Sequence, residues 1–450
     1  MVGAVVQVRI IFAFCFVTLG LFYDSVHAGG ERLYGVHWWE YANGAVGNGA
    51  PGGWSVETIV TESAPWWQAP FFAPLYEQVS TTHNAEIITR LDYNWGETVP
   101  APSSSSAESW ANKILSEVVN PLGSYARRWI IGNEPNITGE ATNWPANRIT
   151  PAQYASVYHT VRHVIKAARP QDEILFAPVS PGPAFGDVRW KDGNEWLAEA
   201  IDATLALPGG AIDGFAIHAY GNPWAGAVQA VAEFHDTFAS HLAVIDARSL
   251  DDLPVYLTEW NRATWTTGDL AANEQVSADF LRQSLLDVDA WNRTPGNHNI
   301  RSLAWFVNQD YGGWEQYSLQ WWQRRGNPQG HPGDLWTALM DASQLQAGLA
   351  GTRPSADYSG DGEVDLEDFT AWRAAFGRSD WPFADGNRNG QVDAADYTVW
   401  RDSYAAAPLA PATIPEPASW LLWVALVIGE SIGSGVLGRR GCLRFTGRLF

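Results

Sequence analysis

Two glutamates stand where this chain could carry out acid–base chemistry. Glu134 lies in Trp129-Ile130-Ile131-Gly132-Asn133-Glu134-Pro135-Asn136, and Glu259 in Val255-Tyr256-Leu257-Thr258-Glu259-Trp260-Asn261. Each is a lone acid at the polar end of a short apolar, β-branched run. Such runs read as buried parallel strands, so each carboxylate should emerge where its strand stops. An acid at the C-terminal end of a barrel strand reads as catalytic rather than structural. A facing pair is the minimum equipment for cleaving a glycosidic bond. One acid protonates the leaving oxygen, and the other attacks the anomeric carbon or activates water.

The elements that would position these acids can be counted. Strand candidates run from Leu33 to His37, Ser55 to Thr61, Glu86 to Leu91, Arg128 to Gly132, Glu173 to Pro178, Ile212 to His218, Val255 to Glu259 and Ile300 to Val307. Helical spacing of apolar residues marks Ala107 to Leu122, Pro151 to Ala168, Asn194 to Leu205, Val228 to Ile245 and Ala271 to Trp291. Thr150-Pro151 is a helix start: a capping hydroxyl, then Pro in the first turn. Alternating strand and helix implies a parallel sheet, and eight strands imply closure. The expected fold class is α/β: a (β/α)8 TIM barrel over residues 29–350. Residues 40–53, rich in Gly and Asn, carry no helix pattern, so the first connection lacks a helix or one of the first two strands is misplaced.

With both acids in strand context, the chain resembles clan A of the glycoside hydrolases, retaining (β/α)8-barrel enzymes. The resemblance covers roughly residues 31–350 and rests on Asn133-Glu134-Pro135 after one strand and Glu259 at the end of a later one. It implies Glu134 as acid/base and Glu259 as nucleophile. Asn133 would hydrogen-bond the sugar 2-hydroxyl. In Ile217-His218-Ala219-Tyr220, His218 and Tyr220 point the same way, being two apart on a strand. The clan uses a Tyr here to orient the nucleophile and a His to line the sugar site. Trp305 matches the clan's aromatic platform at the eighth strand. Arg90 resembles the Arg that pairs with the nucleophile, though it falls on the third strand, and a structural ion pair is the other reading. His37 is a looser candidate for the substrate side. The chain has 25 Trp; for each of Trp38, Trp39, Trp95, Trp260 and Trp314, platform and core are equal alternatives.

Beyond the barrel, residues 356–404 hold two segments that repeat 28 positions apart. The first offers Asp357, Ser359, Asp361, Glu363, Asp365 and Asp368; the second offers Asp385, Asn387, Asn389, Gln391, Asp393 and Asp396. Oxygen donors at loop positions 1, 3, 5, 9 and 12, a backbone carbonyl at 7 and Gly at 6 give the ligand order of an EF-hand loop. One helix follows each loop, and the last ligand is Asp. These loop–helix units resemble type I dockerin modules, small, α-helical and EF-hand-like, which implies two Ca2+ sites and a possible cohesin-like partner. A calcium-stiffened spacer is the alternative.

The ends carry address signals. Residues 1–28 read as a secretory signal peptide: Arg9, an apolar run from Ile10 to Phe22, then Val26-His27-Ala28. Residues 405–416, rich in Ala and Pro, read as a stiff linker. Residues 417–441 form a mostly apolar segment ending in Arg439-Arg440, about one bilayer long. With Pro415-Glu416-Pro417 before it, this segment resembles a PEP-CTERM sorting signal, which implies an exosortase-type processing enzyme; a plain membrane anchor is the alternative. The net charge of −21 argues against nucleic acid as a partner. The two cysteines, Cys15 and Cys442, fall outside the expected mature body. The expectation is a secreted, surface-displayed retaining glycoside hydrolase acting on a polysaccharide or oligosaccharide. A transglycosylase of the cell's own exopolysaccharide and a non-catalytic carbohydrate-binding barrel are the alternatives. No cofactor is expected for the catalysis itself.

Overall fold

A computed structural model describes residues 32–38, 52–62, 69–101, 106–140, 146, 148–181, 189–309, 313–326, 334–343, 356, 358, 364–377, 384–387 and 391–406. The signal peptide, nearly all of the linker, the 417–441 segment and residues 40–51 of the first connection lie outside this set. Among the described residues, no helix is long and apolar enough to cross a membrane.

Eight parallel strands close into a barrel in sequence order: β1 (Tyr34–His37), β2 (Trp54–Val60), β3 (Glu86–Asp92), β4 (Arg128–Ile131), β5 (Glu173–Phe176), β6 (Gly214–Tyr220), β7 (Val255–Asn261) and β8 (Ile300–Trp305). Closure is made by β8 pairing back onto β1, with Gly35 opposite Ala304. Every expected strand is present, displaced by a few residues at most.

Period-two alternation sorts the side chains into two cores. Trp54, Val56, Ile88, Ile130, Leu175, Ala216, Tyr256 and Ala304 fill the interior. Their strand neighbours, among them Val36, Ile59, Ile87, Ile131, Phe176, Phe215 and Ile217, pack outward against the helices. Both faces are buried, which is why these strands read as continuous apolar runs.

The N-terminal floor of the barrel is polar. Arg128, Glu86 and Glu173 each open a strand. Arg128 bonds Glu86 at 2.6 Å and the Tyr256 hydroxyl at 2.8 Å, and Tyr256 donates to Glu173 at 2.7 Å. The guanidinium also lies over the Trp54 ring, 5.2 Å from its centroid. One cation thus neutralises two half-hidden acids.

Helices fill most of the connections. Pro151–Ala168 begins with the capping box of Thr150 and Gln153. The stretch expected as one helix from Ala107 to Leu122 is divided. It runs as α-helix to Ile114, widens to a π-turn over Leu115–Val119, and ends at Asn120–Leu122. Pro121 has no N–H for the usual bond and its ring crowds the preceding turn, so a wider turn relieves the mismatch. Ala69–Glu77 is a further helix, after β2. Its Pro74 and paired phenylalanines obscure the helical period in the sequence.

The floor yields a stability test. Arg128→Ala strands Glu86 and Glu173 in a half-buried site, and removing one partner of such a network costs about 3 kcal/mol. The chemical-denaturation midpoint should fall accordingly with the slope unchanged; a shift below about 0.5 kcal/mol would show that the floor is not a structural anchor.

Candidate active site

The C-terminal mouth of the barrel collects the polar residues. On β7 alternation alone would turn Glu259 the wrong way. Tyr256 faces inward and Leu257 outward, so residue 258 should face in and residue 259 out. A bulge corrects this: Ile217 pairs with Leu257, but His218 pairs with Glu259. The extra residue reverses the phase, so Glu259 enters the barrel mouth and Trp260 packs outward.

Glu134 arrives by a tight turn after β4. Gly132 has φ of 83°, and a Cβ there would lie 2.6 Å from Thr98 Oγ1. The Asn133 amide donates to that hydroxyl. Glu134 itself holds φ of 34°, uncommon for a residue with a side chain. The loop is clamped from outside. Asn136 exchanges two hydrogen bonds with the Ser180 backbone, at 3.0 and 2.8 Å, and the Trp190 indole donates to Pro135 at 2.9 Å.

These devices bring the two acids together. One oxygen of Glu134, one of Glu259 and a ring nitrogen of His218 all lie within 4.8 Å of one another. His218 Nδ1 is 2.8 Å from Glu134 Oε1 and 3.6 Å from Glu259 Oε2. Tyr220 donates to Glu259 Oε2 at 2.5 Å. Arg90 Nη1 donates to Glu259 Oε1 at 3.0 Å, and Arg90 Nε pairs with Asp92 at 3.1 Å. His37 Nε2 is 3.8 Å from Glu259. Arg90 therefore does pair with Glu259, from β3.

Burial dominates the electrostatics. It pushes Glu259 above the usual carboxylate range, against the opposing pull of His218, Arg90 and the Tyr220 hydroxyl. It lowers His218 to about 4 and His37 well below its usual value, so both imidazoles are neutral near pH 7. Arg90 keeps its charge, because Asp92 and Glu259 outweigh its desolvation. The Tyr220 phenol is held well above its usual range and stays a donor.

Two expectations need comment. Trp305 is fully buried and packs outward against Trp260 at 5.0 Å, with its indole donating to the Tyr317 carbonyl. It is core, because Ala304 takes the inward position on β8. The aromatic that β8 delivers is the next residue, Phe306, whose ring is 5.2 Å from His37 and 4.9 Å from Trp314. Trp38 stacks on Trp314 beside it at 5.9 Å, Trp95 is half exposed, Trp260 is core, and Trp39 lies outside the described residues. Asn133 is buried. Its Nδ2 donates to Glu140 at 3.0 Å, while its Oδ1 has no hydrogen-bond partner among the described residues.

Sequence reading did not single out Asp92 or Glu140. Burial and the nearby Asp92 push Glu140 up to about 8, and burial raises Asp92 as well. Asp92 was discoverable, since two residues beyond Arg90 on a strand must face the same way. Glu140 sits in irregular backbone with no periodic signal.

Two carboxylates and an imidazole could also ligate a divalent cation. Arg90, 3.0 Å from Glu259, already supplies positive charge there. The repeat segments are where the sequence places cation ligands. Their helices Leu366–Ala375 and Ala394–Ala406 pack through Tyr358, Val392 and Trp400. The packing is reciprocal: Trp372 donates to Asp393 O and Trp400 to Asp365 O. The repeat-equivalent Asp368 and Asp396 are fully buried, and each accepts an amide at 2.7 Å, from Asp365 and Asp393. Burial and the charges of Asp396, Asp368 and Asp385 all push the Tyr358 phenol up. Buried oxygen donors, one at the end of each loop, are the chemistry that a hard cation takes. Of the expected ligands, Asp357, Ser359, Asp361, Glu363 and Asn389 lie outside the described residues.

The turn that carries Glu134 can be tested directly. Gly132→Ala forces a side chain into a left-handed conformation and against Thr98, at a cost of about 2 kcal/mol. Stability should fall by that amount and any activity dependent on Glu134 should fall at least tenfold; a variant matching wild type in both would refute this account of the turn.

Comparison with known proteins bears on this arrangement. No curated protein matches the sequence. The fold is similar to that of a GH128 (subgroup II) endo-β-1,3-glucanase from Sorangium cellulosum, at 18% identity, 69% of this chain, 98% of that chain and TM-score 0.44. It is similar to a glucosidase from Croceicoccus marinus, at 13% identity, 71% of this chain, 68% of that chain and TM-score 0.45. It is also similar to a GH39 enzyme from Xanthomonas axonopodis pv. citri, at 19% identity, 66% of this chain, 60% of that chain and TM-score 0.42. The family model described as glycosyl hydrolase catalytic core matches residues 77–326, which carry β3 to β8 and both acids. That match spans more than half of the chain and falls on the barrel that holds the site, so this protein belongs to the glycosyl hydrolase catalytic core family.

Proposed function

We propose that the protein is a retaining glycoside hydrolase that cleaves a polysaccharide or its oligomers by double displacement. The observation that carries this reading is the closeness of Glu134 and Glu259, whose facing oxygens lie within 4.8 Å. Retaining enzymes hold their carboxyl groups about 5 to 5.5 Å apart, whereas inverting enzymes leave room for a water at about 6.5 to 9.5 Å.

Roles follow from the neighbours. Two carboxylates this close share one charge at low cost, not two. Arg90 and Tyr220 both bind Glu259, so Glu259 takes the charge and Glu134 the proton. Glu259 attacks the anomeric carbon as Glu134 gives its proton to the departing oxygen. The C–O bond breaks and a glycosyl ester of Glu259 forms. Glu134, now ionised, removes a proton from water, which attacks the same carbon and releases Glu259. Neutral His218 suits both half-reactions. As the Nδ1–H tautomer it donates to Glu134 Oε1 before and after that group loses its proton. Asn133 Oδ1 is the buried acceptor available for a sugar hydroxyl.

The proposal extends to context. The leader and the 417–441 segment suit export and display at the cell surface or outer envelope. The repeat module suits two calcium ions and either a cohesin-like partner or a spacer role.

Role assignment is tested by leaving-group dependence. Glu259→Gln should abolish a trapped glycosyl-enzyme. Glu134→Ala should lose about 10²–10⁴-fold on substrates with poor leaving groups and far less on activated aryl glycosides. Equal losses on both would reject Glu134 as the acid.

Acidity gives a second test. The Tyr220 hydroxyl bond lowers the pKa of Glu259, so Tyr220→Phe should raise it. The acid limb of kcat/KM, where Glu259 must be ionised, should then move to higher pH. An unmoved or lowered limb would contradict Glu259 as the nucleophile.

Calcium is tested by calorimetry on the exported body. Binding to the folded module alone adds about 2.7 kcal/mol at a hundredfold excess over Kd. A chelator should therefore lower one unfolding transition and leave the barrel transition in place. A scan unchanged by chelator would reject the calcium loops.

A further inference from the structure

One feature of the catalytic face takes no part in the chemistry above. The loops that continue β6 and β7 leave side by side, with Gly221 N bonded to Asn261 O at 2.8 Å. They carry Trp224 and Trp265, whose ring centroids are 4.3 Å apart at 51°. Trp224 is 80% exposed. A single exposed aromatic is ordinary, but this one is built in place.

The builder is Arg262. It is buried, and no carboxylate among the described residues pairs with it. Its guanidinium donates to Pro223 O at 3.0 Å, to Ala225 O at 2.8 and 3.2 Å, and to Ser277 Oγ at 3.1 Å. These carbonyls flank Trp224. The Trp265 indole donates to the same Pro223 carbonyl at 3.0 Å, and Asn273 holds Trp265 O at 2.9 Å. The Trp224 amide is tied to Asn222 Oδ1 at 2.9 Å. Burying a cation without a counter-ion is costly. The core gains little from it, since what is fixed is a ring facing water.

Position names the ligand class. Trp224 is four residues beyond Tyr220, and Trp265 is six beyond Glu259. Their Cα atoms therefore lie within about 14 and 21 Å of those residues. The ledge thus stands on the mouth that holds the acids, a few sugar units away. Two tryptophans offer at most about 500 Å², well short of the roughly 800 Å² per partner of a stable protein interface. One sugar ring, apolar on its face and polar at its rim, matches that size and an open, wet surround.

We propose that Trp224, backed by Trp265 and held by Arg262, is a sugar-stacking subsite that binds a pyranose ring of the substrate chain away from the cleaved bond. This rests on the glycosidase reading and adds that the substrate is a chain spanning the barrel mouth.

The test uses the full chain with Glu259→Gln, which should bind substrate without turning it over. Soluble polysaccharides, β-1,3-glucan and xylan among them, are titrated with and without Trp224→Ala. The expected result is a Kd about tenfold higher for the polymer that wild type cleaves. Trp224→Tyr should restore most of the affinity. In the active enzyme, Trp224→Ala should lower kcat/KM on the polymer about tenfold more than on an aryl monoglycoside. Polymer cleavage and binding indifferent to Trp224 would overturn the subsite and leave the glycosidase standing. A wild type that cleaves and binds no glycan would overturn both. Sedimentation showing self-association lost in Trp224→Ala, with polymer binding unaffected, would assign the ledge to a second copy instead.

Discussion

The burial of Glu259 beside a second carboxyl group is the constraint around which the barrel mouth is arranged. Two like charges 4 Å apart repel by about 4 kcal/mol at an effective dielectric of 20. The site meets this by making its neighbours unequal. Arg90 and Tyr220 both bind Glu259, while Glu134 has neutral His218 at 2.8 Å. Arg90 must itself stay charged in a dry place, and Asp92 at 3.1 Å sees to that. Asp92 then sits near Glu140, which burial and that proximity push up to about 8. The chain of consequence ends at Asn133, which Glu140 orients. Asn133, which precedes Glu134, and Arg90, the partner of Glu259, are thus tied through one buried network.

Two of the scaffold's irregularities serve that arrangement. A regular β7 would send Glu259 into the helical layer, and a regular turn after β4 would not aim Glu134 inward. The bulge at Ile217/His218 and the left-handed pair Gly132 and Glu134 are local departures from ideal backbone. Each is held by surroundings that are themselves well packed: Trp260 against Trp305 and Phe280, and Asn136 against Ser180. Strain concentrated at the site and absorbed by its supports is the usual economy of an active site.

The same physics explains what could be read from sequence. The strands were legible because a closed parallel barrel buries both faces and leaves unbroken apolar runs. The acids were legible because each ends such a run. That His218 and Tyr220 share a face followed from period two, and their candidacy from the resemblance. Trp305 and Phe306 were confused because adjacent aromatics on one strand face opposite ways, and only the register says which is inward. The bulge on β7 has no composition signature, so Glu259 was identified for its position and not for the backbone change that aims it. Glu140 was illegible for a different reason: its partners come from β3 and the turn after β4, and no local pattern announces a contact made across a loop.

Titration couples the site to stability in two opposed directions. Burial lowers His218 to about 4 when folded, against 6.5 in an unfolded chain. The unfolded chain takes the proton first, so this group withdraws stability as pH falls from 6.5 toward 4. Burial and the nearby Asp92 push Glu140 up to about 8 when folded, against 4.5 unfolded. Here the folded chain takes the proton first, so stability grows as pH falls from 8 toward 4.5. The two windows overlap between 4.5 and 6.5, where the contributions offset. A neutral imidazole and a protonated carboxyl are both costs of hiding the site from water, yet their pH dependences have opposite sign. Burying both kinds of group therefore sets opposed slopes against each other across mildly acid pH.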